Sequence, residues 1–291
     1  MKRSIVSLLL ILIGLTFTFL STTFAFANEK EIVSLGADLT PKQQEEMMEY
    51  FGVNPNTTKV IKVTNEEERK YLKGLVPDKQ IGSRAISSVY VKLLPQGEGI
   101  MVDTHNISWV SKEMYANAMV TAGIKDAKVV VAAPFDVSGT AALTGIMKAF
   151  EEATGEKLSD EAKKTANEEL VITGTLGEKI GKDKAAELIQ KVKEEVIAKK
   201  LADENEIANV IRDIAKQLNI KLTDEQISQI VQLMKKINQL NLNVEMIKKQ
   251  LEKIGVDVDK IKKTVEENKG ILKAILDAIK SFFDWLASLF K

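Results

Sequence analysis

The chain has 291 residues, 45% apolar and 28% charged, enough for one large domain or two small ones of ordinary globular make-up. Lys plus Arg and Asp plus Glu both number 41, so no global charge draws in nucleic acid, and no nucleic-acid partner is expected. Cysteine is absent, which excludes disulfides, thiol nucleophiles, thiolate metal sites and a lipid-modified cysteine anchor.

The first element is an export signal. Lys2 and Arg3 precede an apolar run from Ile5 to Leu20, and Ala25-Phe26-Ala27 supplies the small-x-small cleavage pattern. This predicts a signal peptide over 1–27, cut between Ala27 and Asn28, and a protein that is secreted or associated with the cell envelope. Left uncut, residues 4–27 are long enough to span a bilayer, and the remainder would still lie outside the cytoplasm. Loss of Lys2 and Arg3 leaves 39 basic against 41 acidic side chains, a net of −2. Export without cysteine fits a Gram-positive surface.

Residues 28–155 alternate strand and helix signals, which predicts a mixed-sheet α/β domain. Ile32 to Leu35 reads as a short strand, and Thr40-Pro41-Lys42-Gln43 opens a helix with a capping box and proline at its first position. Residues 58–64 alternate as a strand, and Asn65 to Glu68 sit in capping-box spacing before the next helix. The run Glu66-Glu67-Glu68 reads as a solvated helix start that complements the dipole. Residues 84–94 and 99–109 read as two strands of a hairpin turned by Pro95-Gln96-Gly97-Glu98. Ser111 caps a helix with Val110 and Tyr115 as a hydrophobic staple, 128–135 is a strand apolar on both faces, and 136–155 is a turn and a helix ending at Gly155.

Beyond Gly155 the pattern turns helical, giving an all-α segment over 156–269 and an α+β chain overall. Gly174 and Gly177 favour a break within 170–177, and 178–201, 204–219, 223–254 and 258–290 read as helices. Ile207, Ile211, Ile214 and Leu218 share one face; Ile227, Ile230, Met234, Ile237, Asn241 and Val244 follow heptad spacing. The segment 204–254 therefore reads as an antiparallel helical hairpin of coiled-coil type, or as a seam that packs on the N-terminal domain. Residues 270–291 form an amphipathic helix with a narrow polar stripe, its wide apolar face carrying Phe282, Phe283, Trp285, Leu286 and Phe290. That face can pack internally, self-associate or lie in a membrane interface.

Chemistry-bearing residues are sparse. His105 is the single histidine, and Asp103 shares its strand face. An Asp–His pair is the seed of a triad, but no strained serine elbow is present, and the plain reading is a surface histidine. Asp136 is the third weak catalytic candidate. Ser138-Gly139-Thr140 follows a strand and opens a helix, where free backbone N–H groups can hold an anion. No phosphate-loop or dinucleotide fingerprint is present. Gly139, Ala141, Ala142 and Gly145 also serve close helix–sheet packing. No metal or cofactor is expected.

The segments 33–40, 63–72, 80–91, 104–118 and 133–151 resemble the YpuA-like family of exported Firmicute proteins, a domain of unknown function. The resemblance implies an extracytoplasmic protein and carries no catalytic residues. The same segments are rich in Ser, Thr, Asn and Gly near 104–109 and 136–140, which points to a shared ligand site that includes Asn106 and Ser138. Three readings follow: a non-enzymatic binding or assembly module contacting protein or envelope components, a hydrolase of wall polymers or peptides using Asp103, His105 and Asp136, and a membrane-interface protein acting through 270–291.

Overall fold

The computed structural model describes residues 31–75, 81, 83–252 and 254. The leader, the Ala27–Asn28 junction and the amphipathic segment with Phe282, Phe283, Trp285, Leu286 and Phe290 lie outside the described residues.

Five strands form one mixed sheet: β1 (Glu31–Gly36), β2 (Lys59–Val63), β3 (Ser88–Leu93), β4 (Ile100–Ile107) and β5 (Ala127–Val137), in the order β2-β1-β3-β5-β4. β1 pairs parallel with β2 and antiparallel with β3; β5 pairs antiparallel with β3 and parallel with β4. Four strands therefore point one way and β3 opposes them. Each of the four feeds a helix at the same edge of the sheet: α1 (Pro41–Phe51), α2 (Asn65–Leu72), α3 (Lys112–Ala122) and α4 (Thr140–Thr154).

Local chemistry sets these boundaries. Thr40 and Gln43 form the reciprocal capping box of α1, and Gly52 ends it in the left-handed region at φ 66°. Ser111 caps α3 through the Met114 N–H, and the stapling pair Val110 and Tyr115 is buried. The cap of α2 is Thr64, with Glu67 as its box partner, one residue earlier than the Asn65 expectation.

The expected hairpin does not form. Glu98 N donates to the Pro95 carbonyl, so the turn is present, yet β3 and β4 separate and β5 lies between them. The loop is held open by Asp126, at φ 49° just before β5, whose carboxylate accepts from Gly97 N at 3.0 Å and Gly99 N at 2.9 Å. β5 suits this interior slot because Val129 and Val131 enter one core while Ala132 and Ala133 enter another.

α1 covers one face of the sheet, packing Met47 and Met48 on Val33, Leu35 and Ala132. The opposite face carries α3 and α4. Gly145 of α4 brings the helix against Ser34, where an added methyl would stand 3.1 Å from the hydroxyl. The larger core continues through this layer into α5 (Asp160–Ile180), α6 (Lys182–Lys199), α7 (Glu204–Gln217), α8 (Asp224–Gln239) and α9 (Val244–Leu251).

The helical part departs from expectation at three places. α5 runs unbroken through Gly174 and Gly177, because Gly174 makes room for the Trp109 indole, which an added methyl would overlap. The break falls instead at Gly181, between α5 and α6. α8 and α9 are not one helix: Asn241 turns the chain at φ 52° and Asn243 caps α9. α7 and α8 are antiparallel, with Lys235 bonded to Glu204 at 2.5 Å at one end and Arg212 4.0 Å from Asp224 at the other. Their apolar faces also pack into the core shared with α5 and α6. Gln250 of α9 bonds Asp126 in both directions, its Oε1 accepting from Asp126 N at 2.7 Å and its Nε2 donating to the carboxylate at 3.0 Å.

Candidate functional site

The edge where β1, β2, β4 and β5 end holds a cleft of about 680 Å³. In sheets of this kind the helices leaving opposite faces open a crevice beyond the strand ends. Here α1 leaves β1 toward one face, while α3 and α4 leave β4 and β5 toward the other. The cleft size lies in the range used by small-molecule sites.

Its floor is the Glu68 carboxyl, 1% exposed. Thr140 Oγ1 donates to Glu68 Oε1 at 2.8 Å, and Ser138 Oγ lies 3.3 Å from Thr140 Oγ1. Asn65 Nδ2 reaches the second carboxyl oxygen at 3.4 Å. Burial outweighs these bonds and the nearby Arg69 charge, and it pushes the carboxyl up to about 7. A carboxyl poised there can be donor or acceptor near neutral pH.

The walls come from three other segments. Ser83 to Ser87 lead into β3, and Arg84 Nη2 donates to the Asp38 carbonyl at 3.0 Å while Asp38 holds Ala85 N at 2.7 Å. Ser108 and Trp109 follow β4; Trp109 Nε1 donates to Glu178 Oε1 of α5 at 2.7 Å. Phe135, Asp136 and Ser138 close β5, and Phe135 is 44% exposed. The 104–109 and 136–140 loops meet directly, with Ser108 N donating to the Val137 carbonyl at 2.8 Å and Val110 N to the Ser138 carbonyl at 3.1 Å.

Gly139 fixes this junction. It sits at φ 92°, and a methyl there would lie 2.5 Å from Ile107 Cγ2 and overlap the Tyr115 hydroxyl. Tyr115 is fully buried and donates to the Gly139 carbonyl at 2.6 Å; burial and the Glu68 charge hold its hydroxyl well above the usual phenol range. Residues from α2, α3, β4 and β5 thus lock one another at the cleft floor.

The catalytic candidates Asp103, His105 and Asp136 and the ligand-loop candidates Asn106, Ser138, Gly139 and Thr140 are divided by this geometry. Asp136 and Ser138 line the cleft and Thr140 lies in its floor. Asp103 and His105 do not line it. His105 is exposed and stacks on Tyr50 of α1 at 4.5 Å, while Asp103 Oδ1 accepts from the adjacent Thr104 N at 2.9 Å. Asn106, at φ 57°, turns its amide to the Ala133 carbonyl at 2.9 Å. Glu68 was not among the candidates, and it is not solvated as the acidic run suggested. Its i,i+4 partner is Leu72, 0% exposed, so a wheel drawn from Thr64 places Glu68 on the buried stripe. Among the described residues no group of three His, Asp or Glu side chains could hold a metal ion.

The profile of a family described as a protein of unknown function, DUF1002, matches residues 35–254, which take in the sheet, the cleft and all nine described helices but for the first residues of β1. The chain belongs to the DUF1002 family. The uncharacterized protein YpuA of Bacillus subtilis (strain 168) is 44% identical over 261 residues, covering 89% of each chain. No solved structure matches. Four of the five segments that carried the YpuA-like resemblance supply the cleft: 63–72, 80–91, 104–118 and 133–151.

Proposed function

We propose that this DUF1002 protein is exported to the cell envelope, where it acts as a non-enzymatic binding module that takes a small polar ligand at the strand-end cleft. The observation that carries the reading is the Glu68 carboxyl, 1% exposed yet forming the floor of an open cleft. A structural core favours apolar contents or a neutralised pair at such depth. Export rests on Lys2 and Arg3, the apolar run and Ala25-Phe26-Ala27.

Two experiments test this. Fractionation of the source cells with N-terminal sequencing should recover protein beginning at Asn28 outside the cytoplasm; recovery from cytosol with Met1 in place overturns export. Thermal melting with low-mass envelope fractions should raise the transition of the wild type and leave Asp136→Arg unmoved. A ligand at a hundredfold its Kd gives about 2.7 kcal/mol. No shift with any fraction, or equal shifts in both proteins, overturns the binding reading.

A hydrolase is the second reading. Glu68, raised to about 7, shares the cleft with Asp136, and two carboxyls at one cleft can divide the acid and base roles. Turnover of a wall oligosaccharide that vanishes in Glu68→Gln would replace the binding module with this enzyme. A third reading places 270–291 in a membrane interface; flotation on anionic liposomes that depends on this segment would establish it.

A further inference from the structure

We infer that the cleft recognises an uncharged polyhydroxylated ligand, a saccharide, with Phe135 as its stacking surface and the Asp136 and Glu178 carboxylates as acceptors for sugar hydroxyls. This deepens the binding reading and rests on it.

The lining has the chemistry that such a ligand requires. Five hydroxyls line it, those of Ser83, Ser87, Ser108, Ser138 and Thr140. Ser108 Oγ already donates to the Val137 carbonyl at 2.9 Å and Thr140 Oγ1 to Glu68 at 2.8 Å, so these two offer a ligand acceptor lone pairs, and a partner that presents many hydroxyls supplies the matching donors. Carboxylates accept strong, directional bonds from hydroxyl donors. Glu178 is held in place by the Trp109 indole at 2.7 Å, so one acceptor is fixed before a ligand arrives. Trp109 is itself seated in the notch at Gly174.

Phe135 is the exposed aromatic of the lining. The strand residues Val131, Ala132 and Ala133 are all 0% exposed, while Phe135 is 44% exposed at the cleft wall. A pyranose has one face of C–H groups, which packs on an aromatic ring while its edge hydroxyls reach polar side chains. Charge favours no ionic class outright. Asp136 and Glu178 share the lining with the Arg84 guanidinium, and the Lys182 ammonium donates to the Ser108 carbonyl beside it, so a phosphate or carboxylate ligand finds no surplus of positive charge. A cation would be drawn to the rim, yet the floor offers it a carboxyl that burial holds partly protonated at neutral pH.

The test is saturation-transfer NMR on the intact chain with maltotriose, cellotriose and triacetylchitotriose as neutral probes, and glucose 6-phosphate and spermidine as charged probes. At least one neutral trisaccharide should receive saturation through its ring C–H protons. Its affinity should fall tenfold or more in Phe135→Ala and in Asp136→Ala, with melting unchanged because both side chains are exposed. Transfer to a charged probe and to no trisaccharide, abolished by Asp136→Arg, overturns the saccharide assignment and leaves the cleft as a binding site. Trisaccharide transfer that persists in Phe135→Ala overturns the stacking role. Silence from every probe overturns the saccharide assignment, and silence together with no thermal shift from any envelope fraction overturns the binding reading beneath it.

Discussion

Glu68 and Glu169 are buried to the same degree, each 1% exposed, in different parts of the molecule. Glu169 lies between helices. Lys193, 0% exposed, donates to it at 2.7 Å, to Thr121 Oγ1 at 3.0 Å and to the Asn117 carbonyl at 2.9 Å, and Thr121 also donates to Glu169. That set joins α3, α5 and α6 and closes on itself. Glu68 has a hydroxyl and an amide as partners, a cleft in front of it, and a carboxyl pushed up to about 7. The difference teaches what burial alone does not: a buried carboxyl with its cation in place holds helices in register, while one bonded to neutral groups at a cleft is left with chemistry to spare.

Removing the cation is the strongest way to break the comparison. Lys193→Met takes the cation from the buried Glu169 and leaves it only the Thr121 hydroxyl, which costs about 3–5 kcal/mol. Chemical denaturation should show that loss, and adding Glu169→Gln should restore most of it. If Lys193→Met costs no more than a surface change, the Lys193–Glu169 pair does not fasten the helices.

The Glu68 side makes a prediction of opposite sign. Its carboxyl is raised from the ordinary 4.5 to about 7 in the folded chain, so between those values the folded state holds a proton that the unfolded state has lost. The stability from this group is therefore complete below pH 4.5 and declines as pH rises to about 7, beyond which it is flat; the full span is about 3 kcal/mol. Glu68→Gln keeps an acceptor for Thr140 and removes the titration. The variant should gain on the wild type between pH 5 and pH 8, read as the difference between two denaturation series. A parallel pH dependence in both proteins would show that Glu68 ionises as an exposed glutamate does.

These two glutamates also mark how far the sequence could be read. Caps were legible because their partners lie three residues apart: Thr40 with Gln43, Thr223 with Gln226, Ser111 with Met114. The pairing of β3 was not, because its neighbour β5 arrives some thirty residues later and Asp126 opens the loop between β3 and β4. A glycine inside α5 signalled either a break or a close approach, and only the distant Trp109 decides which. The meeting of 104–109 with 136–140 was legible as composition. Glu68 was hidden by its neighbours, since Glu66 is exposed and Glu67 is spent on the cap and on Lys148.

The cleft wall offers a smaller effect. Gly174→Ala gains about 1 kcal/mol of helix propensity but drives a methyl into the Trp109 ring, where overpacking costs about 1–3 kcal/mol. The net loss should be about 1 kcal/mol. Displacement of the indole from Glu178 should shift the Trp109 emission in a Trp285→Phe background. A variant as stable as its parent with unchanged emission would mean that the wall yields freely and does not hold Glu178.

His105 gives the smallest effect and guards the comparison from the other side. It is exposed, it stacks on Tyr50 at 4.5 Å with the rings 20° apart, and it does not line the cleft. An aromatic contact at the surface contributes about 0.5 kcal/mol. His105→Ala should therefore lower stability by no more than that and leave ligand affinity at the cleft untouched. If the substitution instead abolishes binding, the working face of the protein is the α1 side of the sheet, where Asp103 and His105 stand together. Glu68 would then join Glu169 as a buried carboxyl serving the fold alone.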